Sequence, residues 1–148
     1  MARLNRRGVM IGGVAVLAAA GAGVAHMVQS AASQEMTPQE AHEAAKDRRI
    51  LLVDIRRPDE WQKTGVPEGG VPIDLRRDDF ADAVQAARAS NTQPVALICA
   101  RGVRSRRMTL LLDEAGITPI IDVPEGMLGS LAGPGWLKGN LPVVTWNA

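Results

Sequence analysis

The 148-residue sequence has one cysteine, two histidines, one phenylalanine and no tyrosine. With Cys99 alone, no intramolecular disulfide can form in any compartment. His26 lies in an apolar N-terminal run and His42 in a predicted helix far in sequence from Cys99. That leaves no base for a Cys–His hydrolase and no ligand set with metal spacing, so neither a metal nor a bound cofactor is implied. An excess of positive charge is also missing where it would matter. Of 17 Lys and Arg and 16 Asp and Glu, Arg3, Arg6 and Arg7 precede residue 35, leaving 14 basic and 16 acidic residues and a charge of −2 after it. A globally basic nucleic-acid binder is excluded on that balance. The hydrophobic fraction of 46% and charged fraction of 22% are those of an ordinary globular chain, and the length allows one domain. There is no internal repeat.

Residues 1–34 contain no acid at all. Arg3, Arg6 and Arg7 precede an uncharged run over residues 8–25, which is the basic start and apolar centre of an export signal or a membrane anchor. Ser30, Ala31 and Ala32 would suit a signal peptidase, while the apolar run also comes close to the ~17 residues that just span a bilayer. The Arg6-Arg7 pair resembles a twin-arginine signal, with Asn5 before it and no Lys after it; Sec-type export or an uncleaved anchor is the other route. In each case the arginines keep the N-terminus inside. The remainder, residues 35–148, is expected in the periplasm or anchored to the inner membrane facing it.

Beyond residue 35 the pattern alternates. Thr37, Pro38 and Glu40 stand at the N-cap, first-turn and capping-box places of a short helix reaching about Asp47. Residues 50–54 form a continuous apolar run ending in an acid, as in a strand buried on both faces of a parallel sheet. Residues 58–61 can form one helical turn, and residues 65–70 read as loop. A strand over residues 71–75 is followed by a helix over about 78–89, with Phe80, Val84 and Ala87 sharing a face. Pro94 opens the strand 95–98, which delivers Cys99 to its C-terminal end. Ser105 is placed to cap a helix that stops at Gly116, and residues 119–123 make a further strand. Strands alternating with helices through short turns predict an α/β fold with an open, mostly parallel sheet and helices on both faces. Sites in such sheets lie beyond the carboxyl ends of the strands, where Cys99 stands.

A lone free cysteine is often no more than a small buried hydrophobe. The neighbours of Cys99 point elsewhere. Cys99, Ala100, Arg101, Gly102, Val103, Arg104 and Ser105 form a strand–loop–helix turn, which aims successive backbone N–H groups and the positive end of a helix at one spot and favours an anion there. Gly102 supplies the backbone freedom a tight loop needs. No Asp or Glu occurs between Ala83 and Leu112, while Arg101, Arg104, Arg106 and Arg107 crowd the cysteine. A thiolate, a persulfide or a thiosulfate dianion would be favoured. Arg106 and Arg107 equally suit a solvated helix face.

Three segments together resemble the rhodaneses: Val53, Asp54, Ile55 and Arg56 followed by Pro58, Asp59, Glu60 and Trp61; the loop 99–105; and Glu125, Gly126 and Met127 leading to Gly135, Trp136, Leu141 and Pro142. The resemblance implies a rhodanese-like sheet between helices and a ping-pong sulfur transfer. In it Cys99 attacks a sulfane donor such as thiosulfate, becomes a persulfide and hands the outer sulfur to a thiol or cyanide-like acceptor, which includes an acceptor protein. It further implies that Cys99 is the nucleophile, that the amides of Ala100, Arg101, Gly102, Val103 and Arg104 form the cradle, and that Arg104 ends it. Asp54, Arg56 and Ser105 then support the site, with Asp54 and Arg56 read as a structural ion pair. The chain departs from the family at residues 64–69, where no His follows Gly65, and at Gly126, where a usual glycine pair is reduced to one.

Two rivals remain on sequence grounds. A Cys-dependent phosphatase or arsenate reductase places Arg six residues after its Cys, whereas here Arg104 is five after and Ser105 sixth. A slow or non-catalytic sulfur carrier that binds a partner protein would keep the same fold. Trp61, Trp136 and Trp146 could serve such a surface, but core or rim packing is the commoner use of tryptophan in so aromatic-poor a chain.

Overall fold

The computed structural model describes residues 34–147. The expected export or anchor segment lies outside the described residues but for Gln34, and among the described residues no helix is long and apolar enough to cross a membrane.

Five strands form one parallel sheet in the order β1 (Gln34–Glu35), β6 (Ile120–Asp122), β5 (Val95–Ile98), β2 (Leu51–Asp54) and β4 (Gly70–Pro72). β2 and β5, at the centre, are buried along their whole length, which is why they read as unbroken apolar runs. Their alternate side chains feed two cores. Leu51, Val53, Val95 and Leu97 pack with α3 (Phe80–Ala87) and α4 (Val103–Glu114) through Phe80, Val84 and Leu112. Leu52, Ala96 and Ile98 pack on the other face with α1 (Pro38–Lys46) and α5 (Gly135–Lys138) through Ala41, Ala44 and Trp136. The α/β architecture with helices on both faces is thus as expected.

Local chemistry explains the helix starts. Thr37 Oγ1 accepts from Glu40 N–H while the Glu40 carboxylate accepts from Thr37 N–H, a reciprocal capping box with Pro38 in the first turn. Trp136 is fully buried, and its indole N–H donates to the Pro142 carbonyl at 2.9 Å. Its loss would open a cavity costing about 3–5 kcal/mol. Trp61 is buried and meets Trp146 edge-on at 5.2 Å, so these tryptophans are packing residues.

The structure corrects several expectations. Residues 65–70 are not all loop, because β3 (Val66–Pro67) pairs antiparallel with β7 (Val143–Val144) and β4 begins at Gly70. The strand expected over 71–75 ends at Pro72, and the turn expected at 58–61 extends into α2 (Pro58–Thr64). Ala87 is exposed rather than sharing the buried face of Phe80 and Val84. Ser105 does not cap α4: Gly102 is the N-cap residue and Ser105 lies inside the first turn.

Candidate active site

β5 carries the chain into the sheet's carboxyl edge and releases it at Cys99, which is 1% exposed. The next residues turn back at once into the twelve-residue α4. That reversal needs Gly102 in the left-handed region, at φ +82°, where a Cβ would strike the Pro124 carbonyl oxygen. The turn brings Gly102 N–H to Cys99 Sγ at 3.1 Å, and the Cys99 thiol donates to Ser105 Oγ at 3.6 Å. Ser105 in turn donates to the Gly102 carbonyl at 3.1 Å. The sulfur is therefore set at a helix N-terminus, against an inward-pointing amide, as an anion site requires.

The third family segment is the brace of this loop. Met127 N–H donates to the Cys99 carbonyl and Leu128 N–H to the Ala100 carbonyl, each at 2.9 Å. Gly126 allows that approach, since a Cβ there would lie 2.6 Å from the Ala100 oxygen. One glycine suffices for the contact.

Arg104 stands at the far end of the loop and is gripped by Glu60 of α2, with Nη1 donating to Oε2 at 2.8 Å and Nη2 to Oε1 at 2.7 Å. The guanidinium holds the Glu60 carboxyl down to about 2. Glu60 in turn strengthens the charge on Arg104, and Cys99 adds to it more weakly. α2 is itself anchored from the sheet. Arg56, 1% exposed, donates to Asp54 at 2.7 and 2.9 Å, to Thr64 Oγ1 at 2.7 Å and to the Gly65 carbonyl at 2.7 Å. Asp54 and Arg56 form a buried ion pair, and Arg56 ties that pair to α2.

The remaining arginines separate from the sulfur. Arg101 is exposed and Nη1 reaches the Gly129 carbonyl at 3.5 Å, while Arg106 and Arg107 are exposed on α4. Val103 is 78% exposed, so its side chain faces solvent. Two site residues escaped the sequence reading. Glu60 was visible within a motif, yet its bond to Arg104 crosses 44 positions. Asp122, at the end of β6, is 1% exposed with both carboxylate oxygens unpartnered, and burial pushes its carboxyl upward. Among the described residues no group of three or more His, Cys, Asp or Glu is placed to hold a metal ion.

Residues 37–130 match the family profile described as Rhodanese-like domain. The tRNA uridine(34) hydroxylases of Chlamydia abortus and Chlamydia muridarum are each 31% identical over 114 residues, covering 73% of this chain but 35% and 34% of theirs. The chain thus spans about a third of the length of these curated relatives. Among solved structures, Rv0390 of M. tuberculosis superposes with a TM-score of 0.60 at 29% identity, over 76% of this chain and 98% of that one. The thiosulfate sulfurtransferase of Pseudomonas aeruginosa gives 0.61 at 23% identity over 78% of this chain and 21% of its own. At that identity the likeness is one of fold.

Proposed function

The chain belongs to the rhodanese-like domain family, and from that premise we propose that it is a sulfurtransferase carrying sulfane sulfur as a persulfide on Cys99. The observation that carries this reading is the seat of the sulfur: Cys99 Sγ accepts the Gly102 amide at 3.1 Å at the start of α4, with Arg104 in the first turn of that helix. A thiolate attacks the sulfane sulfur of an anionic donor such as thiosulfate. The amides and the helix end stabilise the negative charge that then rests on the outer sulfur. Arg104 steers and holds the anionic donor, and Glu60 fixes the direction in which Arg104 points. A thiol or cyanide then removes the outer sulfur and restores Cys99.

The loop suits sulfur more than a tetrahedral phosphate, because Arg104 closes it one residue earlier than the phosphatase spacing, and loop size sets which anion fits. The curated relatives are named for a tRNA uridine, but the match covers only about a third of their length. We place the domain outside the cytoplasm on the strength of residues 1–34. Thiocyanate formation from thiosulfate and cyanide tests the activity: turnover by the native protein and none by Cys99→Ser supports it. Equal rates for the two would refute it, and stoichiometric loading without turnover would favour a carrier.

A further inference from the structure

Asp122 is a buried acid at the sheet's carboxyl edge whose charge nothing in the mechanism above uses. It is the register partner of Leu97, and Leu97 and Cys99 pack beneath α4 whereas Ile121 and Val123 pack on the opposite face. Asp122 therefore projects toward α4, on the side where Cys99 sits. Both of its oxygens are closed off from solvent without a hydrogen-bond partner. A buried carboxyl left in that state costs about 1–3 kcal/mol or more, so its retention calls for a use. Ser105 lies in the first turn of α4, on the side that faces Cys99. The Ser105 hydroxyl and Arg106 of α4 favour the ionised carboxyl, while burial and Glu35 of β1 oppose it. Arg101 lines the same cleft, of about 560 Å³. Ser105 also receives the Cys99 thiol at 3.6 Å, and its own hydrogen now goes to the Gly102 carbonyl. Rotation about the Ser105 Cβ–Oγ bond would turn that hydrogen toward Asp122 and complete a line from sulfur to carboxylate.

We propose that Asp122 is the proton partner of Cys99, reached through the Ser105 hydroxyl, in the sulfur-transfer cycle on which this inference rests. As Cys99 attacks thiosulfate its S–H bond breaks, the proton passes to Ser105 Oγ, and the Ser105 O–H proton passes to an Asp122 oxygen. A bond forms from Cys99 Sγ to the sulfane sulfur, and the donor's S–S bond breaks with its electron pair leaving on sulfite. The negative charge has moved from Asp122 to the outer sulfur, so the pocket holds one charge before and after. When an acceptor thiolate takes the outer sulfur, the bond pair returns to Cys99 and the proton retraces its path. No base of the Cys–His kind is needed.

The test compares native protein, Asp122→Asn, Ser105→Ala and the double variant in single-turnover loading by thiosulfate, and in alkylation of Cys99 by iodoacetamide, across pH. Asp122→Asn keeps the shape and removes an unpartnered buried charge, and Ser105→Ala interrupts the line independently. Both variants are expected to be roughly tenfold or more slower at about pH 6 and to converge on the native rate at about pH 9, where solvent base can take the proton instead. The double variant should be no slower than either single one. An unchanged profile, a loss uniform in pH, additive losses, or faster reaction in acid because Asp122 merely repels the thiolate would each overturn the proposal. Alkylation reads the proton path whether or not sulfur is carried. If thiosulfate fails to load native protein while the alkylation profile shifts as stated, the sulfurtransferase reading fails and the proton partnership stands.

Discussion

Glu60 holds Arg104 through both carboxylate oxygens, at 2.8 and 2.7 Å, and so joins α2 to the end of the loop that carries Cys99. Because α2 is tied in turn to the buried pair of Asp54 and Arg56, the Arg104 guanidinium is positioned from the end of β2. The three family segments thus form one continuous support: β2, α2, loop, and the brace at Gly126.

The pair makes stability depend on acid. Glu60 has its folded value lowered from 4.5 to about 2, so its contribution is full above 4.5 and is lost as pH falls through about 2. Side-chain exposures are 19% for Glu60 and 33% for Arg104, so the roughly 3 kcal/mol such a shift would mean in full burial shrinks to about 1–2 kcal/mol. Glu60→Gln should lower stability by that amount at neutral pH and by progressively less toward pH 2 in chemical denaturation. A difference constant with pH would remove the ion pair from the account. Thiosulfate loading should weaken in the same variant as Arg104 loses its fixed direction.

Asp54→Asn leaves the Arg56 guanidinium buried without its counter-charge, at a cost of about 3–5 kcal/mol. Thermal melting should register most of that loss. Sulfur transfer per folded molecule should change far less, because Arg56 is 1% exposed. A variant of native stability but without activity would assign the pair to substrate instead.

Gly102→Ala adds a Cβ against the Pro124 carbonyl oxygen at a backbone φ of +82°. The loop must open to admit it, which moves the Gly102 amide away from Cys99 Sγ. Loading by thiosulfate is expected to drop by tenfold or more, about 1.4 kcal/mol in barrier, and stability by about 1–3 kcal/mol. Native loading kinetics in the alanine variant would show that the amide does not hold the sulfur.

The extent to which the sequence disclosed this molecule follows the range of the interactions. The capping box of Thr37 and Glu40 spans three residues and is legible, as are β2 and β5, whose double burial leaves Asp54, at the end of β2, as their one polar position. β1 is not: Gln34 and Glu35 are polar and exposed, and are strand only because β6 lies alongside. β3 and β7 escape for the same reason, each being two residues held by the other. Cys99 and its loop could be found because nucleophile, glycine and helix start are adjacent. Ser105 was misplaced as the cap because a serine before an apolar helix suits that place, whereas Gly102 starts the helix and leaves Ser105 facing the sulfur. Asp122 looked like an ordinary strand end; only the packing of α4 over β6 brings it near Ser105.

The N-terminal segment is open to a direct assay. A reporter that works only outside the cytoplasm should be active when fused to residues 1–34. Replacing Arg6 and Arg7 together by Lys should abolish export by a twin-arginine route and spare it by a Sec route or anchor. A reporter retained in the cytoplasm behind the native segment would contradict the expected address.

The persulfide itself is the central claim, and intact mass reads it most directly. After incubation with thiosulfate and removal of excess, the native protein should gain the mass of one sulfur atom, lose it on addition of cyanide, and gain it again on a second incubation; Cys99→Ser should show none of these changes. A native protein whose mass never changes, or a Cys99→Ser variant that gains the same sulfur, would contradict the account.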